Sequence, residues 1–231
     1  GSFNEYYPFE EGYPPTVFSL YTTSLLILDK GYKNDKIINY IEKTCKWILD
    51  NPEREASNQE AIGISAVYLS SKINGVNINH AKLDKRFQDF FNSQNEEGWF
   101  PEYDGSDIGY LSVTIDALWD YYQYSKDERA LVAMRKAASF IELFFTEGGN
   151  LPVMINSRNT DYVVPYGIFN LSLLDNNYLS LSFKVLKKIT DAFNYLDTTD
   201  DRYLCHYVYT SSTRAIKALE KLRGKENIKL N

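Results

Sequence analysis

The chain is short of the residues that carry metal and redox chemistry. Its 231 residues hold two cysteines, two histidines and two methionines. Cys45 and Cys205 lie far apart and cannot form the kind of disulfide framework that staples a small secreted domain. They read as core thiols in a reducing compartment. His80 and His206 are the only histidines. Cys205 and His206 are neighbours in sequence, so on a helix they point in different directions and cannot share a metal. No metal and no cofactor is expected. No run of Lys or Arg exceeds two residues and the net charge is −6, which leaves no footprint for nucleic acid or an anionic membrane. No apolar stretch approaches the length of a membrane span. No secretory leader is readable at the start, so a cytoplasmic location is expected, with Gly1-Ser2 read as a cloning scar.

What is present is an ordinary globular balance, 44% hydrophobic and 24% charged, with an unusual 19 tyrosines beside 13 phenylalanines and three tryptophans. Tyrosine has an apolar body and a polar tip. It fills helix interfaces, and it also lines clefts for sugars. The length suits one domain over residues 1–231, as a whole or as part of a longer chain.

Five turn-rich, polar stretches open apolar runs: Tyr13-Pro14-Pro15-Thr16, Ser57-Asn58-Gln59-Glu60, Gly105-Ser106-Asp107-Ile108, Asn159-Thr160-Asp161-Tyr162 and Asp201-Arg202-Tyr203-Leu204. Their spacing of roughly 42 to 55 residues is that of a helical hairpin with its return loop. The runs they open (16–29, 58–73, 107–125, 161–176 and 203–222) lack a charged face and read as buried inner helices. Between them lie amphipathic segments at 35–50, 79–94, 127–146 and 179–196, read as outer helices. In 35–50, Asp35 is the expected cap, and Ile37, Ile38, Ile41, Cys45, Ile48 and Leu49 form a stripe against Lys36, Glu42, Lys43 and Lys46. Ser57 and Glu60 fit a capping box. Asn58, Asp107 and Asp161 suit helix N-caps. The fold class is therefore all-α, with about nine helices. Two long loops, 95–106 and 147–160, should sit at one end of the stack.

Gln94-Asn95-Glu96-Glu97-Gly98-Trp99-Phe100 follows an outer helix and precedes an inner one. It resembles the glutamine–tryptophan repeat of the squalene cyclase and prenyltransferase superfamily, with weaker cousins at Glu147-Gly148-Gly149-Asn150-Leu151 and Glu11-Gly12-Tyr13. The resemblance implies an α/α toroid, an inner ring of helices inside an outer ring. Twelve helices would complete it, so about nine imply an incomplete ring. Asn4-Glu5-Tyr6-Tyr7-Pro8 and Ser157-Arg158-Asn159-Thr160-Asp161-Tyr162 look like stretches of bacterial toroid proteins without a settled activity. The Asp-x-Asp-Asp acid of class II terpene cyclases is absent, since Thr198 stands two residues before Asp200. So are the zinc set of protein prenyltransferases and the thioester motif of complement-type toroids. Trp99 and Phe100 read mainly as wedges between hairpins.

If the openings of the inner helices share one end, they gather a polar bowl. The expected catalytic residues are Tyr162, Asp107, His206 and Asp161. The expected binding residues are Glu5, Tyr7, Asn58, Gln59, Tyr103, Tyr110, Arg158, Asn159 and Tyr166. Such a bowl suits a glycan or another polar small molecule. Hydrolysis would draw two carboxylates from Glu5, Glu102, Asp107 and Asp161. Elimination from a uronic acid, or its epimerisation, would use Tyr162, Tyr110 or His206 for the proton and Asn58 and Arg158 for the sugar carboxylate. The alternatives are a non-catalytic glycan-binding or scaffold domain, whose open ring edge a partner domain or second copy would cover, and an isoprenoid cyclase-like enzyme.

Overall fold

A computed structural model describes residues 1–32, 34–146, 149–152, 156–190 and 208–226. Over these residues the chain is all-α, as the sequence leads one to expect. The helices are α1 (Tyr13–Lys30), α2 (Asp35–Asp50), α3 (Ser57–Ser70), α4 (His80–Asn92), α5 (Ile108–Ser125), α6 (Glu128–Phe144), α7 (Tyr166–Leu174), α8 (Leu179–Thr190) and α9 (Tyr209–Glu226). A single 3-10 turn, Asn176–Tyr178, leads into α8. No strand forms among the described residues; three isolated bridges tie loops together instead.

The alternation of inner and outer helices follows from which faces are apolar. In α3 and α5 nearly every residue is buried, including Ser65, Ser70, Ser112 and Thr114. In α2 only the stripe Ile41, Thr44, Cys45, Ile48 and Leu49 is buried, and α4 buries only Leu83, Arg86, Phe87 and Phe90. The odd-numbered helices pack in succession, α1 on α3, α3 on α5, α5 on α7 and α7 on α9. The even-numbered ones lie against them from outside. Small hydroxyls allow the inner helices to approach closely: Ser24 of α1 and Ser70 of α3 share a 2.8 Å hydrogen bond. α9 comes back beside α1, where Arg214 donates to the Tyr21 hydroxyl at 3.4 Å.

Helix ends follow local chemistry, with some departures from expectation. α1 starts on Pro14 and Pro15, whose missing N–H groups do no harm there. It stops at Gly31, whose φ of 70° is left-handed and whose amide donates to the Ile27 carbonyl. Asp107 caps α5 by accepting from the Tyr110 amide at 3.0 Å. The cap of α2 is Asn34 and not Asp35, which is the first helical residue. Ser57 and Glu60 form no capping box. Ala56 is the N-cap of α3, and Glu60 is taken by Arg86, which donates to it through Nε at 2.6 Å and also through Nη2.

That ion pair fastens four helices. Arg86 of α4 also donates to the Ile48 carbonyl of α2 at 2.8 Å, and Tyr13 of α1 donates to Glu60 at 2.9 Å. A buried pair needs such extra hydrogen bonds to offset its desolvation.

The largest departure is α7. The sequence reads as helical from Asp161, but the helix begins at Tyr166 and residues 160–165 run without helix along α5. Pro165 is the reason. The residue before a proline is driven out of the helical region, and here it follows a second β-branched valine, Val163. The Val164 amide takes Ser112 of α5 as its acceptor, at 2.9 Å.

The glutamine–tryptophan segment fastens α4 and its loop to α6. Gln94 donates to the carbonyls of Gly98 and of Ala133 on α6, at 2.8 and 2.9 Å. Gly98 has φ 111°, and a Cβ there would meet the Lys136 carbonyl of α6. Phe100 stacks on Phe90 with ring centres 4.5 Å apart.

Candidate functional site

Two polar clusters lie along the inner helices. The first is at the openings of α3 and α5. The loop before α5 crosses the start of α3, with the Tyr103 amide donating to the Glu55 carbonyl at 2.7 Å. This places Glu102 over the free amides of α3, a position suited to negative charge. Glu102 accepts from the Asn58 amide at 3.1 Å and from Asn58 Nδ2 at 2.6 Å. Burial still pushes its carboxyl up to about 8, helped by the charges of Asp107 and Glu53 and opposed by the two Asn58 bonds.

Asp107 is similarly enclosed. One oxygen accepts from the Tyr110 amide and from the Thr160 hydroxyl, the latter at 2.5 Å. The other accepts from the Arg158 amide at 3.1 Å. Burial raises its pKa against these bonds. Asn156 completes the cluster, accepting from the Ile108 amide at 3.0 Å and donating to the Thr160 carbonyl at 2.6 Å. Above it, the Arg158 guanidinium lies 4.5 Å from the Tyr103 ring centre, and Gln59 hydrogen-bonds the Tyr103 hydroxyl. Tyr103, Asp104 and Asn159 all have positive φ, at 49°, 67° and 52°. Backbone held in that region by residues other than glycine is found where the surroundings over-determine it.

The second cluster is deeper, where α1, α5, α7 and α9 meet. Asp120 of α5 accepts from Tyr21 of α1 and from Arg214 of α9. It also accepts from the Tyr166 hydroxyl of α7 and from Gln123, both at 3.1 Å. The Arg214 guanidinium lies over the Tyr166 ring, 3.9 Å from its centre. Desolvation works against the charge of Arg214, but Tyr21 and Asp120 outweigh it and raise its pKa. Burial raises the Tyr21 and Tyr166 phenols too, so both stay protonated.

One turn earlier on α5, Asp116 accepts from the Gly167 amide at 2.7 Å and hydrogen-bonds Ser211 of α9. Burial pushes Asp116 up to about 7, against the pull of Ser211, Gly167 and Arg214. Asp116, Arg214, Tyr21, Ser211 and Thr210 line a partly open cavity of about 30 Å³, with Phe18, Thr22, Ile62, Val113 and Val164 completing its wall. That is room for roughly two water molecules. A carboxyl balanced near neutrality beside a fixed guanidinium is able to give or take a proton.

The structure brings together part of the expected bowl. Asn58, Gln59, Tyr103, Asp107 and Arg158 meet at the first cluster. Asn159 is in the same turn, with its side chain exposed. Tyr110 and Tyr162 meet edge to face at 6.2 Å. Both are buried, Tyr162 to 1% exposure, so they belong to the packed interior below Asp107. Tyr166 belongs to the deeper cluster. Asp161 faces outward to α8, where its charge acts on Lys188. Glu5 and Tyr7 are exposed on an N-terminal turn whose amides donate to Glu10. His206 lies outside the described residues. Asp161 and Asn58 are not helix caps: α7 is capped at Pro165, and Asn58 is the second residue of α3.

Asp116, Asp120, Tyr21 and Arg214 escaped the sequence reading. A signal for them existed. Asp116 and Asp120 are four apart in an otherwise uncharged run, hence on one face of a buried helix, and a buried carboxylate demands a partner.

Groups of His, Cys, Asp and Glu able to hold a metal are absent among the described residues. No described helix is long and apolar enough to cross a membrane. No family model matches this chain, and neither a curated protein nor a solved structure matches it.

Proposed function

We propose that the protein binds a hydroxyl-rich glycan in the hollow framed by α1, α3, α5 and α9, and moves a proton on it through Asp116. The carrying observation is the cavity in which the Asp116 carboxyl and the Arg214 guanidinium share a wall. Around them stand the features sugar sites use: phenols, hydroxyls and an apolar floor. Asp116 serves as the proton donor or acceptor. The exposed Tyr103–Arg158 pair at the helix openings offers a flat face for a further sugar unit. Hydrolysis, elimination and epimerisation all remain open to this equipment. The inner helices arranged as an α/α toroid, resembling the cyclase and prenyltransferase superfamily, are part of the same reading. The charged wall speaks against an oily isoprenoid ligand.

The second reading, a non-catalytic glycan-binding or scaffold domain, has one observation in its favour. Asn58, Glu102, Asp107 and Thr160 bond to one another or to nearby backbone, which leaves few of their groups for a ligand. A binding screen over oligosaccharides, followed by a turnover assay on whatever binds, separates the two. Catalysis predicts turnover that Asp116→Asn abolishes while binding persists. Binding without turnover supports the second reading, and no binding to any glycan refutes the first.

A further inference from the structure

The charges around the hollow decide what kind of sugar it takes. Arg214 is the only cation on the described wall, and it is already matched by Asp120. Asp120 is 1% exposed and accepts from four donors, Arg214, Tyr21, Tyr166 and Gln123, so it is held as the counter-ion of Arg214. Tyr21 from α1 and Ser211 and Thr210 from α9 face the same space as neutral groups, and α3 contributes Ile62. Counted over the described residues, the hollow is neutral with Asp116 protonated and carries one negative charge with Asp116 ionised. In neither state do the described residues leave a positive charge over.

We infer that this site takes an uncharged sugar and rejects an acidic one, with Asp120 as the residue that sets the preference. A carboxylate placed here would be buried without a counter-charge, which is unfavourable. A hydroxyl fits both states, since it accepts from protonated Asp116 and donates to ionised Asp116. Room for about two water-sized groups suits the hydroxyls at one edge of a pyranose. This deepens the glycan reading and rests on it. It also turns the choice of chemistry away from uronic acids.

The test compares matched oligosaccharides, one neutral and one bearing a uronate, by calorimetry on the wild-type chain at pH 5.5 and 8.5. The neutral ligand should bind at least tenfold more tightly at pH 8.5, and the gap should narrow at pH 5.5 as Asp116 takes up its proton. Asp120→Asn frees the charge of Arg214, so that variant should gain affinity for the uronate at least fivefold. Its circular dichroism should match wild type. If Asp120→Asn does not fold, the wild-type comparison at the two pH values decides alone. Tighter binding of the uronate to the wild type overturns the inference while leaving the glycan reading intact. No binding of either sugar sinks the glycan reading itself.

Discussion

Replacing Asp116 by Asn should change how stability depends on pH, in a direction opposite to ordinary acid denaturation. The Asp116 carboxyl is buried, and its pKa is pushed from an ordinary 3.8 up to about 7. Below about pH 4 both the folded and the unfolded chain carry the proton. Between there and about pH 7 the unfolded chain has lost it and the folded chain has not, so unfolding releases a proton and stability falls as pH rises. Above about 7 the effect levels off. The gap between 3.8 and about 7 corresponds to on the order of 4 kcal/mol. The Asn side chain keeps an oxygen for the Gly167 amide, which Asp116 holds at 2.7 Å, but it has no charge to bury. Urea unfolding at pH 4.5, 6 and 8 gives the difference in stability between variant and wild type. Groups that titrate alike in both cancel from that difference. It should move in favour of the Asp116→Asn variant by several kcal/mol from pH 4.5 to 8. A difference that stays constant across this range refutes the burial argument. So does a carbon-13 titration placing the Asp116 carboxyl near 4.

Glu102→Gln should behave likewise over a higher window, between about 4.5 and about 8, because burial pushes this carboxyl up as well. Urea midpoints at pH 5 and 9 check it, with the variant gaining on wild type at pH 9. Gly98→Ala should cost about 2–4 kcal/mol, since the new Cβ meets the Lys136 carbonyl at a left-handed φ of 111°; thermal unfolding reads it directly. Arg86→Met should cost about 3–5 kcal/mol by stranding the Glu60 carboxylate. Arg86→Met combined with Glu60→Leu should recover most of that loss in the same measurement.

The succession of helices was legible because it rests on strong, redundant signals. Each outer helix carries a charged face and each inner one does not, and this contrast survives an error of several residues at either end. Boundaries depend on single side chains, and there the reading slipped where two candidates compete. Asn34 and Asp35 are both good caps. The one whose oxygen reaches an amide three residues on is Asn34, bonded to Ile37 at 3.0 Å. Glu60 suits a capping box by spacing, but a guanidinium from α4 outcompetes a backbone amide for its carboxylate. No local pattern shows which of these wins, because Arg86 is 26 residues away.

The site divides along the same line. Residues that open helices were legible, since polar side chains in turns stand out from the sequence, and Asn58, Asp107 and Arg158 do meet. Their meeting has a consequence that spacing could not reveal. Asp107 accepts from Tyr110, Thr160 and Arg158, and Asn58 is bound to Glu102. Groups so engaged hold loops in place and have little left for a ligand. Reactive capacity lies instead with groups whose environment leaves them unbalanced. Asp116 is such a group, with Gly167 and Ser211 as neutral partners and no cation of its own among the described residues. Asp120, one turn along the same face, received the cation. Two identical carboxyls on one helix thus differ because α9 delivers a single guanidinium to one of them, and burial, with no paired cation among the described residues, pushes the Asp116 carboxyl up to about 7.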